Sequence, residues 1–463
     1  MKHTTRRAFA LYAVIIAFLA GVVILFATFV LNGGAWASNR ANRHVYTAGQ
    51  IASAGVIYDR SGAVLAQSVK GKRVYNASSI IRKATLHVVG DAAGFISTGI
   101  HSAYKETLSG YSLLNGVYLL KQYGKGNDIH LTIDANACAT AYNALNGRKG
   151  TVGVYNYKTG EILCMVSTPT FDIEHKPADI MTNTEKYEGV YLNRFLSGVY
   201  TPGSTFKVFT AASAIENIPD IYSRTFICTG KLQTSTGVII CSKVHGKVTF
   251  EQALNRSCNS AFAQIAIALG NNKLSATANA MGFNKPFKMG NINIAPSTFN
   301  VDNANSADLG WAGIGQYDTL ANPYHMLTVM GAIANGGSGI SPYLVDRIVS
   351  PSKTITQRGS LNAKTLITMN SGTADKLKAL LRSDVVNFYG DSRFPNLQMC
   401  GKTGTAEIGN GKKPNAWFVG FSQRPDLPLA IVVVVENSVS GLVSAAPIVN
   451  RVMQELASSY TES

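Results

Sequence analysis

The six cysteines of this sequence form no Cys-x-x-Cys pair, and its eight histidines offer no His-Glu-x-x-His. Both common signatures of a protein metal centre are therefore missing, and neither a metal enzyme nor a cofactor is expected. Charge is also scarce, at 15% of residues, and acids are scarcer than bases, 26 against 42, for a net charge of +16. Such an excess suits an anionic neighbourhood such as lipid headgroups or wall polymers. With no basic run and no interleaving of basic and aromatic residues, nucleic acid is not an expected partner. Internal repeats and low-complexity tracts are absent as well. What is there is a chain of 463 residues, 46% hydrophobic, which implies a folded protein of two or three domains.

Lys2, Arg6 and Arg7 precede an uncharged apolar stretch from Ala8 to Leu31. A bilayer needs about 20 such residues, whereas the apolar part of a cleaved signal peptide runs to about 7–15. A retained membrane anchor is expected, with a cleaved signal ending at Ala35-Trp36-Ala37 as the alternative. The positive-inside rule keeps Arg6 and Arg7 in the cytoplasm and places the rest of the chain outside, although Arg40 and Arg43 reduce the asymmetry.

Beyond the anchor, short strand-like runs and glycine turns, such as AGVIYDRSGAVLA (54–66), extend to about residue 130. HLTIDANACATAYNAL then reads as a strand entering a helix, and 151–156 with 161–167 as a hairpin around Lys158-Thr159-Gly160. NAWFVGF (415–421) and LAIVVVVEN (429–437) read as adjacent antiparallel strands, followed by a helix with Ile448, Val449, Val452, Met453 and Leu456 on one face. Strands on both sides of a long helical middle predict an α/β domain whose sheet is closed by the terminal segments. TGKLQTSTGVII, between Cys228 and Cys241, reads as a hairpin that leaves a local disulfide and two free thiols equally open.

The chemistry concentrates in YTPGSTFKVFTAASAIE (200–216). A Pro-Gly turn delivers Ser204, and Lys207 follows it into an apolar helix. Ser204 is either a simple helix cap or a nucleophile whose base is Lys207. Residues three apart share a helix face, and Phe206, Val208 and Phe209 would desolvate the ammonium and lower its pKa. Spacing alone decides little, since Ser102–Lys105 and Ser350–Lys353 repeat it. Two further boxes follow in order: Ser257-Cys258-Asn259 in a polar knuckle between helical stretches, and Lys402-Thr403-Gly404-Thr405 on a strand. Lys158-Thr159-Gly160 and Ser360-Leu361-Asn362 are decoys in turns.

The ordered set Ser-x-x-Lys, Ser-x-Asn, Lys-Thr-Gly resembles that of the penicillin-binding proteins and class A β-lactamases. GEILCMVSTPTFD, NRFLSGVYTPGSTFK, CSKVHGKVTFEQAL, GIGQ and NAWFVGF extend the resemblance to class B penicillin-binding proteins over about residues 50–455. Ala54 departs from it, because that family usually has arginine before the glycine. The resemblance implies an α/β fold of the penicillin-binding/β-lactamase type, an antiparallel sheet flanked by helices. With it come an anchor over 1–40, a small α+β pedestal over 41–130, short for the class, and a transpeptidase domain over 131–463.

It also implies a membrane-anchored peptidoglycan D,D-transpeptidase acylated by β-lactams, with stem peptides as substrate and a SEDS-family glycosyltransferase as membrane partner. Ser204 would attack the peptide, Lys207 take its proton, Ser257 relay a proton to the leaving group and Asn259 hold the peptide amide. Lys402 would supply positive potential, Thr403 and Thr405 bind the substrate carboxylate, and Gly404 leave the strand edge open. The N–H groups of Ser204 and Thr405 would form the oxyanion hole. The alternatives are a D,D-carboxypeptidase or β-lactamase-type hydrolase and a β-lactam sensor. Glu251 of EQALN matches a β-lactamase Glu-x-x-Leu-Asn, but it precedes the Ser-x-Asn box instead of following it.

Overall fold

The computed structural model describes residues 2–39, 41, 46–47, 50–51, 53–111, 125–409 and 411–459; Arg40 and Arg43 lie outside them. The first helix, α1 (Lys2–Ala37), contains a span of 34 residues long and apolar enough to cross a membrane, none of whose most apolar stretch is buried against the protein.

A first sheet begins with β1 (Ile57–Tyr58), β2 (Val64–Val69) and β3 (Lys72–Tyr75). The turn between β1 and β2 is set by Asp59, whose carboxylate accepts from the N–H groups of Ser61 and Ala63. Strand β4 (Asp128–Leu131) pairs in parallel with β1 and leads into α2 (Ala135–Leu145), where the Asp134 carboxylate caps the first turn.

The chain then forms the hairpin β5 (Gly150–Asn156) and β6 (Ile162–Thr168). Helix α3 (Lys207–Asn217) opens the helical middle. Next come β7 (Thr225–Cys228), β8 (Lys231–Gln233), β9 (Val238–Ile240) and β10 (Gly246–Thr249), in which β7 pairs with β10 and β8 with β9. Helices α4 (Phe250–Asn255), α5 (Asn259–Ala280) and α6 (Pro323–Ala334) follow. Strands β11 (Val345–Val349) and β12 (Ile355–Arg358) return to the first sheet, giving the order β12-β11-β4-β1-β2-β3. After α7 (Ser371–Asp384) come β13 (Met399–Ala406), β14 (Asn415–Ser422), β15 (Leu429–Val435) and α8 (Ala446–Ser459).

The second, five-stranded sheet has the order β13-β14-β15-β5-β6, antiparallel throughout. Every residue of β5, β6, β14 and β15 is buried, so both faces are covered by helices. This explains the uninterrupted Val432–Val435 run, where a half-exposed strand would alternate. The C-terminal strands fill the middle of the sheet, as their hydrophobicity predicts. Ile448, Val449, Val452, Met453 and Leu456 line the buried face of α8.

Residue 130 falls inside β4, and the first sheet joins strands from before residue 131 to strands after residue 344. The Ala54 departure is absorbed locally: Ala54 is buried, and Arg73 Nη1 donates to the carbonyls of Ala54 (3.3 Å) and Gly55 (2.8 Å). Gly55 itself admits no side chain, since a Cβ there would lie 1.8 Å from the Asn127 carbonyl oxygen. Gly55→Ala is expected to cost at least the about 1–3 kcal/mol of ordinary overpacking. Denaturant unfolding checks this, and wild-type stability in the variant would refute it.

Candidate active site

Ser204 lies in a single 3₁₀ turn, Gly203–Phe206, that runs directly into α3. In a 3₁₀ turn residues i and i+3 eclipse, which brings Lys207 under the serine. Lys207 Nζ stands 3.1 Å from Ser204 Oγ, and the N-cap of the turn is Pro202, with Ser204 inside it. That contact is the one a nucleophile and its base require.

Two glycines allow this turn to pack on the edge of the sheet. Gly203 has φ of +53°, and a Cβ there would sit 3.0 Å from Ala406 Cα. A Cβ on Gly404 would meet the Pro202 carbonyl oxygen at 2.8 Å and Thr205 Cγ2 at 2.9 Å. The β13–β14 register runs without a bulge through Gly404, so this glycine serves close approach of the strand to the serine turn. The GIGQ segment closes the other side, with Gly203 N–H donating to Gly315 O at 2.9 Å.

Helices α4 and α5 meet at the knuckle, where Ser257 is held in the left-handed region with φ of +50°. Four oxygens surround Lys207 Nζ: Ser204 Oγ and Ser257 Oγ at 3.1 Å, Ser257 O at 2.7 Å and Asn259 Oδ1 at 2.8 Å. The two shortest contacts go to carbonyl-type oxygens, which only accept. A neutral amine satisfies both with its two N–H bonds and keeps its lone pair for a hydroxyl proton. Burial, reinforced by the nearby Lys402 charge, brings the pKa of Lys207 down to about 7.

The ring facing this amine is Phe262, 5.7 Å away, which sequence reasoning did not identify. Phe206 and Phe209, expected to desolvate the lysine, instead stack on one another and pack with Phe283.

Lys402 is fully buried, 3.4 Å from Asp384 Oδ2 and 3.1 Å from Tyr389 Oη. Desolvation opposes its charge, but Asp384 and Tyr389 outweigh it and the pKa is raised. Burial pushes the Asp384 carboxyl up to about 6 against the pull of Lys402. Tyr389 Oη donates to Asp384 Oδ2 at 3.0 Å and lies 3.1 Å from Thr403 N and Thr403 Oγ1. Asp384 and Tyr389 were invisible in the sequence because Tyr389 lies within a π-helical segment, Val385–Gly390, that follows Asp384 and breaks the 3.6-residue period. The Thr403 hydroxyl, expected to face a substrate carboxylate, is engaged by Tyr389, whereas Thr405 is exposed.

The decoys resolve into ordinary structure. Ser102 Oγ donates to Ile96 O, Lys353 occupies a left-handed turn position and Gly160 turns the β5–β6 hairpin. Glu251 lies on α4, where its carboxylate accepts from Ser383. Cys228 and Cys241 are free thiols.

The penicillin binding protein transpeptidase domain family matches residues 150–454. The peptidoglycan D,D-transpeptidase PbpA of Mycolicibacterium smegmatis is 28% identical over 410 residues, covering 77% of this chain and 78% of that protein. The PbpA of Mycobacterium tuberculosis is 30% identical over 366 residues, covering 71% and 72%. The structure of penicillin-binding protein A from M. tuberculosis as an imipenem acyl-enzyme complex superposes with a TM-score of 0.78 at 26% identity, covering 88% of this chain and 98% of that one. The chain belongs to the penicillin-binding protein transpeptidase family. Within that family it is a class B protein, an enzyme of the serine transpeptidase type.

With Lys207 as base the free amine would be the reactive form, so the rate of acylation is expected to climb as pH rises through about 7. Stopped-flow acylation across that pH would show it, and a flat profile would exclude Lys207 as the base. Asp384→Asn strands the buried Lys402 charge and is expected to cost about 3–5 kcal/mol of stability, read by thermal or denaturant unfolding. Unchanged stability would mean that Asp384 does not hold the lysine.

Proposed function

We propose that this protein cross-links peptidoglycan stem peptides through an acyl-enzyme on Ser204, and that β-lactams acylate the same serine. The observation that carries this reading is the buried Lys207 amine with Ser204 Oγ and Ser257 Oγ both 3.1 Å away. Ser204 Oγ bonds to the carbonyl carbon between the two D-alanines while its proton passes to Lys207. The proton then travels by Ser257 Oγ to the departing nitrogen as the C–N bond breaks. Asn259 orients the peptide amide, and the Ser204 and Thr405 N–H groups stabilise the oxyanion, donors worth about 3–4 kcal/mol each in comparable sites. Lys402 supplies the positive potential that draws the substrate carboxylate towards Thr405, with Thr403 alongside. The amine of a neighbouring strand then attacks the acyl carbon and releases Ser204.

In this reading residues 1–40 anchor the protein, 41–130 form the pedestal and 131–463 the catalytic domain, which lies outside the cell. The basic residues before the apolar span support that orientation. A SEDS-family glycosyltransferase is the proposed partner at the anchor and pedestal. The contact of Glu251 with Ser383 supports transfer over a glutamate-driven hydrolysis.

Fluorescent penicillin is expected to label the wild type and not Ser204→Ala; equal labelling would remove Ser204 as nucleophile. Incubated with a depsipeptide and a D-amino acid, the protein is expected to form the exchange product, and hydrolysis alone would contradict transpeptidation.

A further inference from the structure

Four side chains outside the reaction path converge beneath the Ser257–Asn259 knuckle. Cys228 ends β7, Cys241 follows β9, His245 stands just before β10 and Cys258 is the N-cap of α5. Their ligand atoms all lie within 4.8 Å of one another. Cys241 Sγ is 3.9 Å from Cys258 Sγ, and His245 Nδ1 is 3.4 Å from Cys241 Sγ and 3.6 Å from Cys228 Sγ. A tetrahedral ion about 2.3 Å from sulfur and about 2.0–2.1 Å from nitrogen sets S···S edges near 3.8 Å and S···N edges near 3.6 Å. The three edges given above fall around those values.

Two backbone groups are aimed at the sulfurs: Asn259 N–H at Cys241 Sγ (3.3 Å) and Ala261 N–H at Cys258 Sγ (3.4 Å). Donors directed at sulfur favour thiolate over thiol. Only one face of the surrounding segment is held by apolar packing, through Phe226, Ile239 and Val248. It consists of two two-stranded sheets, with Ile227 67%, Ile240 64% and Val244 72% exposed. Isolated pairs of strands are marginal, and small units of this kind are stapled by metals or disulfides. The cysteines here are free and buried.

We propose that Cys228, Cys241, His245 and Cys258 bind one Zn²⁺ in a closed tetrahedral site that fixes the Ser257–Asn259 knuckle. Three thiolates and one imidazole suit zinc. On binding, the three thiols give up their protons to solvent and the site carries a net charge of −1. Four protein ligands leave no position for water, so the ion is structural and takes no part in hydrolysis. The sequence hides the site because its ligands come from two strand pairs and a helix cap, and the one short spacing, Cys241-x₃-His245, joins unlike residues and forms neither a Cys-x-x-Cys nor a His-Glu-x-x-His box. The expectation of no metal is revised accordingly.

The coupling to the active site is direct. Cys258 lies between Ser257 and Asn259, and Asn259 Nδ2 donates to Ile240 O, beside Cys241, at 3.0 Å. An ion bound there holds two of the groups that orient Lys207. This positioning role rests on the proposed acylation, whereas metal binding does not.

The test uses full-length protein purified in detergent under reducing conditions with zinc supplied during growth. Elemental analysis is expected to find one zinc per chain, and Cys228→Ser and His245→Ala are each expected to lose it. Substitution with Co²⁺ is expected to give a thiolate-to-cobalt charge-transfer band in the wild type. A wild type without zinc, or a Cys228→Ser protein that keeps it, would overturn the site. Because a variant could misfold, wild-type zinc is also withdrawn with a competing chelator. Penicillin acylation is then expected to slow by about tenfold and to recover on adding Zn²⁺, and an unchanged rate would overturn the positioning role. Ser204→Ala is expected to retain its zinc, so failure of the acylation reading and failure of the metal site are told apart.

Discussion

The site depends on an amine kept out of water. Lys207 Nζ is enclosed by four oxygen atoms from the Ser204 turn and the 257–259 knuckle, and two of these accept hydrogen bonds without being able to give one. In bulk solvent the same lysine would be an ammonium and useless as a base. Desolvation makes the neutral form accessible, and fixed acceptors orient its lone pair towards a hydroxyl. The turn that carries Ser204, the knuckle that carries Ser257 and the helix that carries Lys207 must all be placed to a fraction of an ångström for this to hold.

A second lysine shows the opposite use of burial. Lys402 is as enclosed as Lys207, but Asp384 and Tyr389 keep it charged. Its positive charge in turn helps to discharge Lys207. Two lysines in one low-dielectric region thus settle in different protonation states, one suited to the proposed base and one a fixed cation, and the carboxylate beside the second decides which is which. This is the pattern by which paired titratable groups divide acid and base roles.

The sequence makes the proposed reacting groups legible because each sits in a short local pattern: a turn before a helix at Ser204, a knuckle at Ser257 and Asn259, and a strand at Lys402. Hydrophobic periodicity likewise marks β14, β15 and α8. What stays hidden depends on tertiary packing. Asp384 and Tyr389 are brought together by a π-helical segment, Phe262 approaches Lys207 from a different helix, and Gly404 is required by a carbonyl on a distant turn. Phe206 and Phe209 show the reverse error, since adjacency in sequence to Lys207 does not place them against its amine. The ligands at 228, 241, 245 and 258 belong to the same hidden class.

The first sheet carries a mechanical meaning. Its backbone hydrogen bonds run from β3, on the membrane-proximal part of the chain, through β4 to β12, which leaves directly from the catalytic part. A hinge would require breaking those ladders, two residue pairs long between β1 and β4 and four between β4 and β11. One backbone ladder thus ties the chain before residue 131 to the chain after residue 344, so any bending between them is resisted by main-chain hydrogen bonds and not by side-chain packing alone.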